Sequence, residues 1–335
     1  TNATAIASSS TIFGKDNVTI DSPYANLINN GSIASGGNLN LNLASLANKT
    51  NSIDQSQIIA KNNLNITTNV GDIKNIGANI GSIGSLTLNA TRGNIINTAI
   101  VQTNDANLLS QLDDSYIVGF GGVGKNLGNI SSELLQHASI KGGAVAINAA
   151  NDFSNLAANV SATKNTVADG QLTSGNLEVT AGNDINIATL QLHNRTQTSW
   201  GSAKKGGTSI TDTLSNVGSE ISSANDLNLT STGLSENATT ANINIVGSDI
   251  SANNNLSIAA SNDVNIMAAQ DTSYTENRSH SKGLTVQKSS ISVNQSLTNV
   301  HSYLTALGDI NITSGESVAL VRSEEHTSEL QSHHV

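Results

Sequence analysis

The chain has no cysteine, one proline and one tryptophan, and aromatic residues make up only 2% of its 335 positions. Without cysteine there are neither disulfide staples nor thiolate metal sites, although many exported proteins share that lack. So few aromatics exclude the thick core of a compact globular protein of this length and leave a thin, repetitive core of Ile, Leu, Val and Ala. Fifteen basic against twenty-five acidic residues give a net charge of −10, with no basic run, which argues against a nucleic-acid partner. No apolar run approaches the ~18 residues of a membrane span. The opening TNATAIASSS lacks a basic region backed by an apolar core, so the chain is expected to be an excerpt whose targeting signal lies elsewhere.

What is present is a repeated phrase, clearest in Ile250–Ala269, ISANNNLSIAASNDVNIMAA. A lone Ile250 is followed by the pair Leu256 and Ile258, then by Val264 and Ile266. Members of a pair lie two apart and share one face of a β-strand. Asn, Asp, Ala and Ser fill the gaps, and Asn and Asp favour turns because their side chains bond nearby amides. The phrase recurs as Ile33 with Leu39 and Leu41, Ile58 with Leu64 and Ile66, Ile80 with Leu86 and Leu88, and Ile221 with Leu227 and Leu229. Ile140 with Val145 and Ile147, and Leu172 with Leu177 and Val179, are close variants. Leu39 to Leu64 is 25 residues and Leu64 to Leu86 is 22, the length of one solenoid turn.

Longer copies agree. LEVTAGNDINIATLQ from Leu177 aligns without gaps on LSIAASNDVNIMAAQ from Leu256, an offset of 79. VGSEISSANDLNL from Val217 returns as VGSDISANNNLSI from Val246, an offset of 29. Strands this short stand only when stacked on copies of themselves, so the expected fold is an all-β parallel β-solenoid over residues 26–321. Leu39, Leu64, Leu86, Leu177, Ile185, Leu227, Leu256 and Val264 are its expected inward ladder, and ten to fourteen coils would make a rod of about 50–65 Å. Residues 1–25, with Val18, Ile20 and Pro23, read as a ragged first coil. Insertions near 104–136, 192–213 and 271–304 interrupt the repeat. The first holds SSELLQHA (Ser131–Ala138), the one helix expected; the other two read as protruding hairpins or mobile loops.

The phrase [AG]-G-[ND]-φ-x-φ, the stretches NDVNIMAAQDTS and SAKKGGTSIT, and the VGS-[ED]-I-S restart together resemble the haemagglutinin-repeat region of filamentous haemagglutinins and contact-dependent-inhibition exoproteins. The resemblance implies a right-handed parallel β-helix, exported by two-partner secretion through an outer-membrane transporter. It implies a place on the outer surface of a Gram-negative bacterium, as the rod of an adhesin or the stalk of a toxin-delivery protein. Its partners would be a receptor or glycan on a host or neighbouring cell. No NPNG or NPNL secretion signature and no toxin-like C-terminus accompany the repeats. RSEEHTSELQS (Arg322–Ser332) breaks both composition and period and reads as a translated sequencing adapter, so residues 322–335 are set apart as non-native.

Sites are sparse. GFGGVGKN (Gly119–Asn126) spells G-x-G-x-x-G and most of a phosphate loop ending at Lys125, but Asn126 stands where Ser or Thr would hold magnesium. Nucleotide binding there is one alternative to the rod. The other is a polysaccharide lyase or hydrolase on the same fold, which would need paired carboxylates. Asp152, Asp184, Asp226, Asp263 and Asp309 precede strand anchors, yet Asn38, Asn63, Asn94, Asn176 and Asn255 occupy equivalent places. That interchange points to turn hydrogen bonding. Adjacent Asp113 and Asp114 would diverge on a strand. His137, His193, His280 and His301 lack metal-ligand spacing, and no cofactor or enzyme activity is expected. Trp200, beside Arg195, Lys204 and Lys205, has two readings: a solvated loop whose indole packs on its own hairpin, or a contact site where an indole among cations meets a partner surface. The open ends of a solenoid are also expected to make the fragment self-associate.

Overall fold

The computed structural model describes residues 3–6, 10–51, 55–105, 130–167, 170–202, 204–235 and 240–321. No helix occurs among them, and the chain winds as a parallel β-helix with three strands to a rung. One rung is Asn79–Ser82, Ser85–Ala90 and Ile95–Thr98. The first strands of successive rungs form a nine-stranded sheet from Thr11–Gly14 to Tyr303–Ala306. Among the described residues there are therefore nine full rungs, and at ~4.8 Å each they make a rod about 40 Å long, shorter than the repeat length implied. The difference went into the insertions, which consume residues without adding rungs.

Most rod strands contribute two or three inward positions, and stacking in register turns these into rows. Leu39, Leu64, Leu86, Val145, Leu177, Leu227, Leu256 and Ile310 are successive partners in one row. Leu46, Ile73, Ile95, Phe153, Ile185, Ile243, Val264 and Val318 form another. On the first face, Ile33, Ile58, Ile80, Ile140, Val160, Ile221 and Ile250 do the same. These side chains are essentially sealed from water except at the last rung, each contributing ~1.5–3 kcal/mol. Phe153 is the one aromatic among the fully buried large side chains.

A further inward row was not legible in the sequence. Asn29, Asn48, Asn75, Asn97 and Asn155 stack inside the rod, each at most 1% exposed. The side-chain amide of each of the first four donates to the carbonyl of the next at 2.7 or 2.8 Å. Asn155 ends the chain of bonds by donating to the Ala158 carbonyl at 2.7 Å. In later rungs the row continues as Ile187, Ile245, Ile266 and Leu320.

Two expectations are corrected. Residues 1–25 do not form the expected ragged first coil where they are described: Ala3–Ile6 pairs with Asn26–Asn29, Thr11–Gly14 with Ser32–Ser35, and Val18–Asn29 with Leu39–Asn48. Pro23 falls in the register break between Ser22 and Asn26, where its missing N–H costs no ladder bond. Ser131–Ala138 is not a helix either, because Ile130–Gln136 is a strand paired antiparallel with Ile100–Asp105. A neighbouring strand that satisfies the backbone outweighs the local serine caps and leucines.

Candidate functional site

The distinctive surface is built from the three insertions. All leave the rod at the corner between a rung's third strand and the next rung's first: after Thr98, after Ala188 and after Met267. The intervening corners, Leu156–Asn159 and Val246–Asp249, are tight, with Ala157 and Gly247 at positive φ. Hairpins thus emerge two rungs apart, about 9.6 Å, which is the width of two strands. Each hairpin supplies two strands, so successive hairpins meet edge to edge.

The result is a six-stranded antiparallel sheet beside the rod. Its first hairpin is Ile100–Asp105 with Ile130–Gln136, its second Leu190–Gly201 with Lys205–Val217, and its third Ala269–Lys282 with Gln287–Val300. The second and third join from Lys205–Ser281 to Leu214–Thr272. The first meets the second only at Ile130–Arg195 and Ser131–Asn194.

Alternation gives the sheet two faces. On one, the Asp212 carboxylate takes an ion pair from Arg195 at 3.1 Å and a contact from His193 Nε2 at 2.7 Å. On the same face Glu276 accepts from the Tyr274 hydroxyl at 2.7 Å and pairs with Arg278. The Arg278 guanidinium, then the Tyr274 hydroxyl, hold the Glu276 carboxyl below its usual range, while the same bond pushes the Tyr274 phenol up. The opposite face is mainly Ser, Thr and Asn, and Trp200 stands on it near the hairpin end.

Trp200 pairs with Gly207, and its indole covers that glycine: a β-carbon there would come within 2.9 Å of the ring. About half of the Trp200 surface stays exposed (53%), over an open depression of about 550 Å³ shared with Ser279, Ser290 and Ile291. Lys204 and Lys205 are exposed at the adjoining turn. The turn closes through the Ser202 amide on the Lys205 carbonyl at 2.7 Å, with Gly201 at φ 92°. Arg195 does not belong with them. It is 8% exposed, five residues from Trp200 and hence on the other face, committed to Asp212.

The carboxylates considered for catalysis sit in turns, and their chemistry there is explicit. Asp152 Oδ1 accepts the Asp184 amide at 3.0 Å, Asp184 Oδ1 the Asn242 amide at 2.7 Å, and Asp263 Oδ1 the Ser317 amide at 3.0 Å. Asn94 and Asn255 do the same for Asp152 and Asp309, at 3.1 and 3.0 Å. Only an acceptor oxygen is needed, which Asn and Asp share. A small polar hollow of about 200 Å³ lies among Asn94, Asn151, Asp152, Asn183 and Ser235. His137 Nδ1 lies 2.9 Å from the Ala157 carbonyl, His280 Nε2 3.2 Å from the Ser202 carbonyl, and His301 edges against Tyr303. Among the described residues no three His, Asp or Glu are grouped to hold a metal. Gly119–Asn126, Asp113, Asp114 and residues 322–335 lie outside the described residues.

With the rungs and hairpins in place, the comparison with known families is decisive for one segment. Residues 200–320 match the Hemagglutinin repeat family. The matched segment runs from Trp200 through the third hairpin to the last rung, so it contains Asp212 and the Tyr274, Glu276 and Arg278 group but not the partners of Asp212, His193 and Arg195. No curated protein and no solved structure matches the chain.

The sequence did not single out Leu284 and Val286 at the third hairpin's turn, nor Lys282 and Lys288 beside it. Leu284 is fully exposed and Val286 is 56% exposed. The available signal was the absence of any acidic residue from Asn277 to Gly308.

Proposed function

We propose that this chain is a rigid rod segment of a large secreted surface exoprotein, acting in adhesion or as the stalk of a contact-dependent toxin-delivery protein on a Gram-negative cell. The observation that carries the reading is the hemagglutinin-repeat match falling on rungs that stack without a break, with a lateral hairpin sheet held at fixed spacing. Such a body supplies length and a surface at a distance from the cell, and the carboxylates that precede its strand anchors, such as Asp152, Asp184 and Asp263, are spent on turns. Export through an outer-membrane transporter belongs to the same proposal. So does contact with a receptor or glycan through Trp200, Lys204 and Lys205, with Arg195 removed from that set.

The test uses beads coated with the purified chain and scored for attachment to epithelial and Gram-negative cells. Coated beads should attach more than bare ones, and Trp200→Ala should reduce attachment without changing the β-sheet circular dichroism. Cleavage of an acidic polysaccharide, or micromolar binding of labelled ATP, would replace the rod reading with one of its enzymatic or nucleotide-binding rivals.

A further inference from the structure

The ends of the second and third hairpins form one composite tip. The Lys282 amide donates to the Lys204 carbonyl at 2.7 Å, and His280 Nε2 approaches the Ser202 carbonyl at 3.2 Å. Lys205, Ser281 and Lys288 lie side by side across the strands, in the row next to Trp200, Gly207, Ser279 and Ser290. The tip therefore gathers Lys204, Lys205, Lys282 and Lys288. No acidic residue falls between Thr196 and Thr211 or between Asn277 and Gly308, on a chain whose net charge is −10.

The same tip exposes apolar surface that the fold does not use. Leu284 is 107% exposed relative to its reference, Val286 56%, Trp200 53% and Ile291 51%. A leucine at the apex of a turn, flanked by lysines and an indole, has little to offer a sugar ring, which stacks on aromatic faces. It fits the boundary of a bilayer, where aliphatic and indole groups enter between headgroups while ammonium groups stay at phosphate level. Apolar contact and headgroup attraction act together there.

We infer that the composite tip docks on a lipid surface bearing anionic headgroups, with Leu284, Val286 and Trp200 entering it and Lys204, Lys205, Lys282 and Lys288 facing the phosphates. This rests on the reading of Trp200 as a contact residue and names its partner. The rod thereby gains a lateral foot beside its last rungs, so contact runs along its flank.

Trp200 is the chain's only tryptophan, so its emission reports this tip alone. The full chain is mixed with vesicles of phosphatidylcholine alone and with an equal mixture of phosphatidylglycerol and phosphatidylcholine. The expected result is co-sedimentation with the anionic vesicles, a blue shift of Trp200 emission, and loss of both at high salt. Replacing the four lysines by Gln should weaken binding by about fivefold for each one, and Leu284→Ser should reduce the blue shift. Three results would overturn the proposal: no vesicle binding, equal binding to neutral vesicles, or binding with Trp200 emission unchanged. A blue shift with soluble dextran sulfate but none with vesicles would replace the lipid by an acidic polysaccharide. Loss of bead attachment in Trp200→Ala without vesicle binding would keep the contact residue and discard only its partner.

Discussion

The two halves of the rod fill the same inward row with opposite chemistry. From Asn29 to Asn155 the row is a chain of buried amides, each bonded to the next; from Ile187 to Leu320 it is aliphatic. Both solutions satisfy the same constraint. A buried amide must bond on every side, and each ladder Asn from Asn29 to Asn97 does so by giving one N–H to the next amide and turning the other to a backbone carbonyl, such as those of Gln57, Asn79, Ala78 and Asn159. An aliphatic row has nothing to satisfy, but specifies register only through shape. The described hairpin strands are distributed unevenly too: the four of 12 to 14 residues belong to the aliphatic half.

The largest effect should come where the halves agree. Leu256 lies in the row shared by all the full rungs and is 0% exposed. Leu256→Asp buries a carboxylate with no partner, a penalty of several kcal/mol on top of ~2 kcal/mol of lost burial. Its rung and both neighbours should lose hydrogen-exchange protection; a variant that keeps full protection would mean the row does not hold the rungs together.

Exchanging the two chemistries probes the contrast directly. Asn75→Leu leaves Asn48 short of an acceptor and Asn97 short of a donor, at ~1–3 kcal/mol for each and so about 2–6 kcal/mol in denaturant titration. The reverse change, Ile245→Asn, places a lone amide between Ile187 and Ile266 and should cost about as much. Ile187→Asn, next to Asn155, extends the ladder by one member and should cost ~1 kcal/mol less than Ile245→Asn. Equal costs for these two would show that the stacking bonds add nothing.

The smallest effect is confined to the lateral sheet. Glu276 is held below its ordinary value of 4.5 by Arg278 and Tyr274, so its contribution is complete above that value and fades as pH falls through the lower, folded one. Acid should therefore loosen the third hairpin before the rod, read as a change in Trp200 emission while the β-sheet circular dichroism holds. Glu276→Gln should abolish that early change.

Much of this architecture was readable because pairs such as Leu64 and Ile66 announce a strand, and their anchors recur. The amide ladder was not, although Leu27-Ile28-Asn29, Ile73-Lys74-Asn75 and Ile95-Ile96-Asn97 share one spelling. An asparagine two places after an inward residue is itself inward, but its usual preference for turns hides that parity. Ser131–Ala138 misled for the opposite reason, since its caps are genuine local signals and the strand beside it is remote in sequence. At the contact site, Trp200, Lys204 and Lys205 do lie together, whereas Arg195 was grouped with them by proximity along the chain and is parted by the alternation of the strand.

Hairpins of two strands on a rod that advances one strand per rung make the lateral sheet commensurate only in even steps. The offset of 79 between Leu177 and Leu256 carries the chain up two rungs, adding one hairpin on the way, whereas the offset of 29 between Val217 and Val246 adds a single rung and no hairpin. Lengthening by the longer unit keeps every hairpin edge in contact with the last. Lengthening by an odd number of rungs would open a slot one strand wide in the lateral sheet, so a gene that grows by duplication is held to the larger period wherever that sheet is under selection.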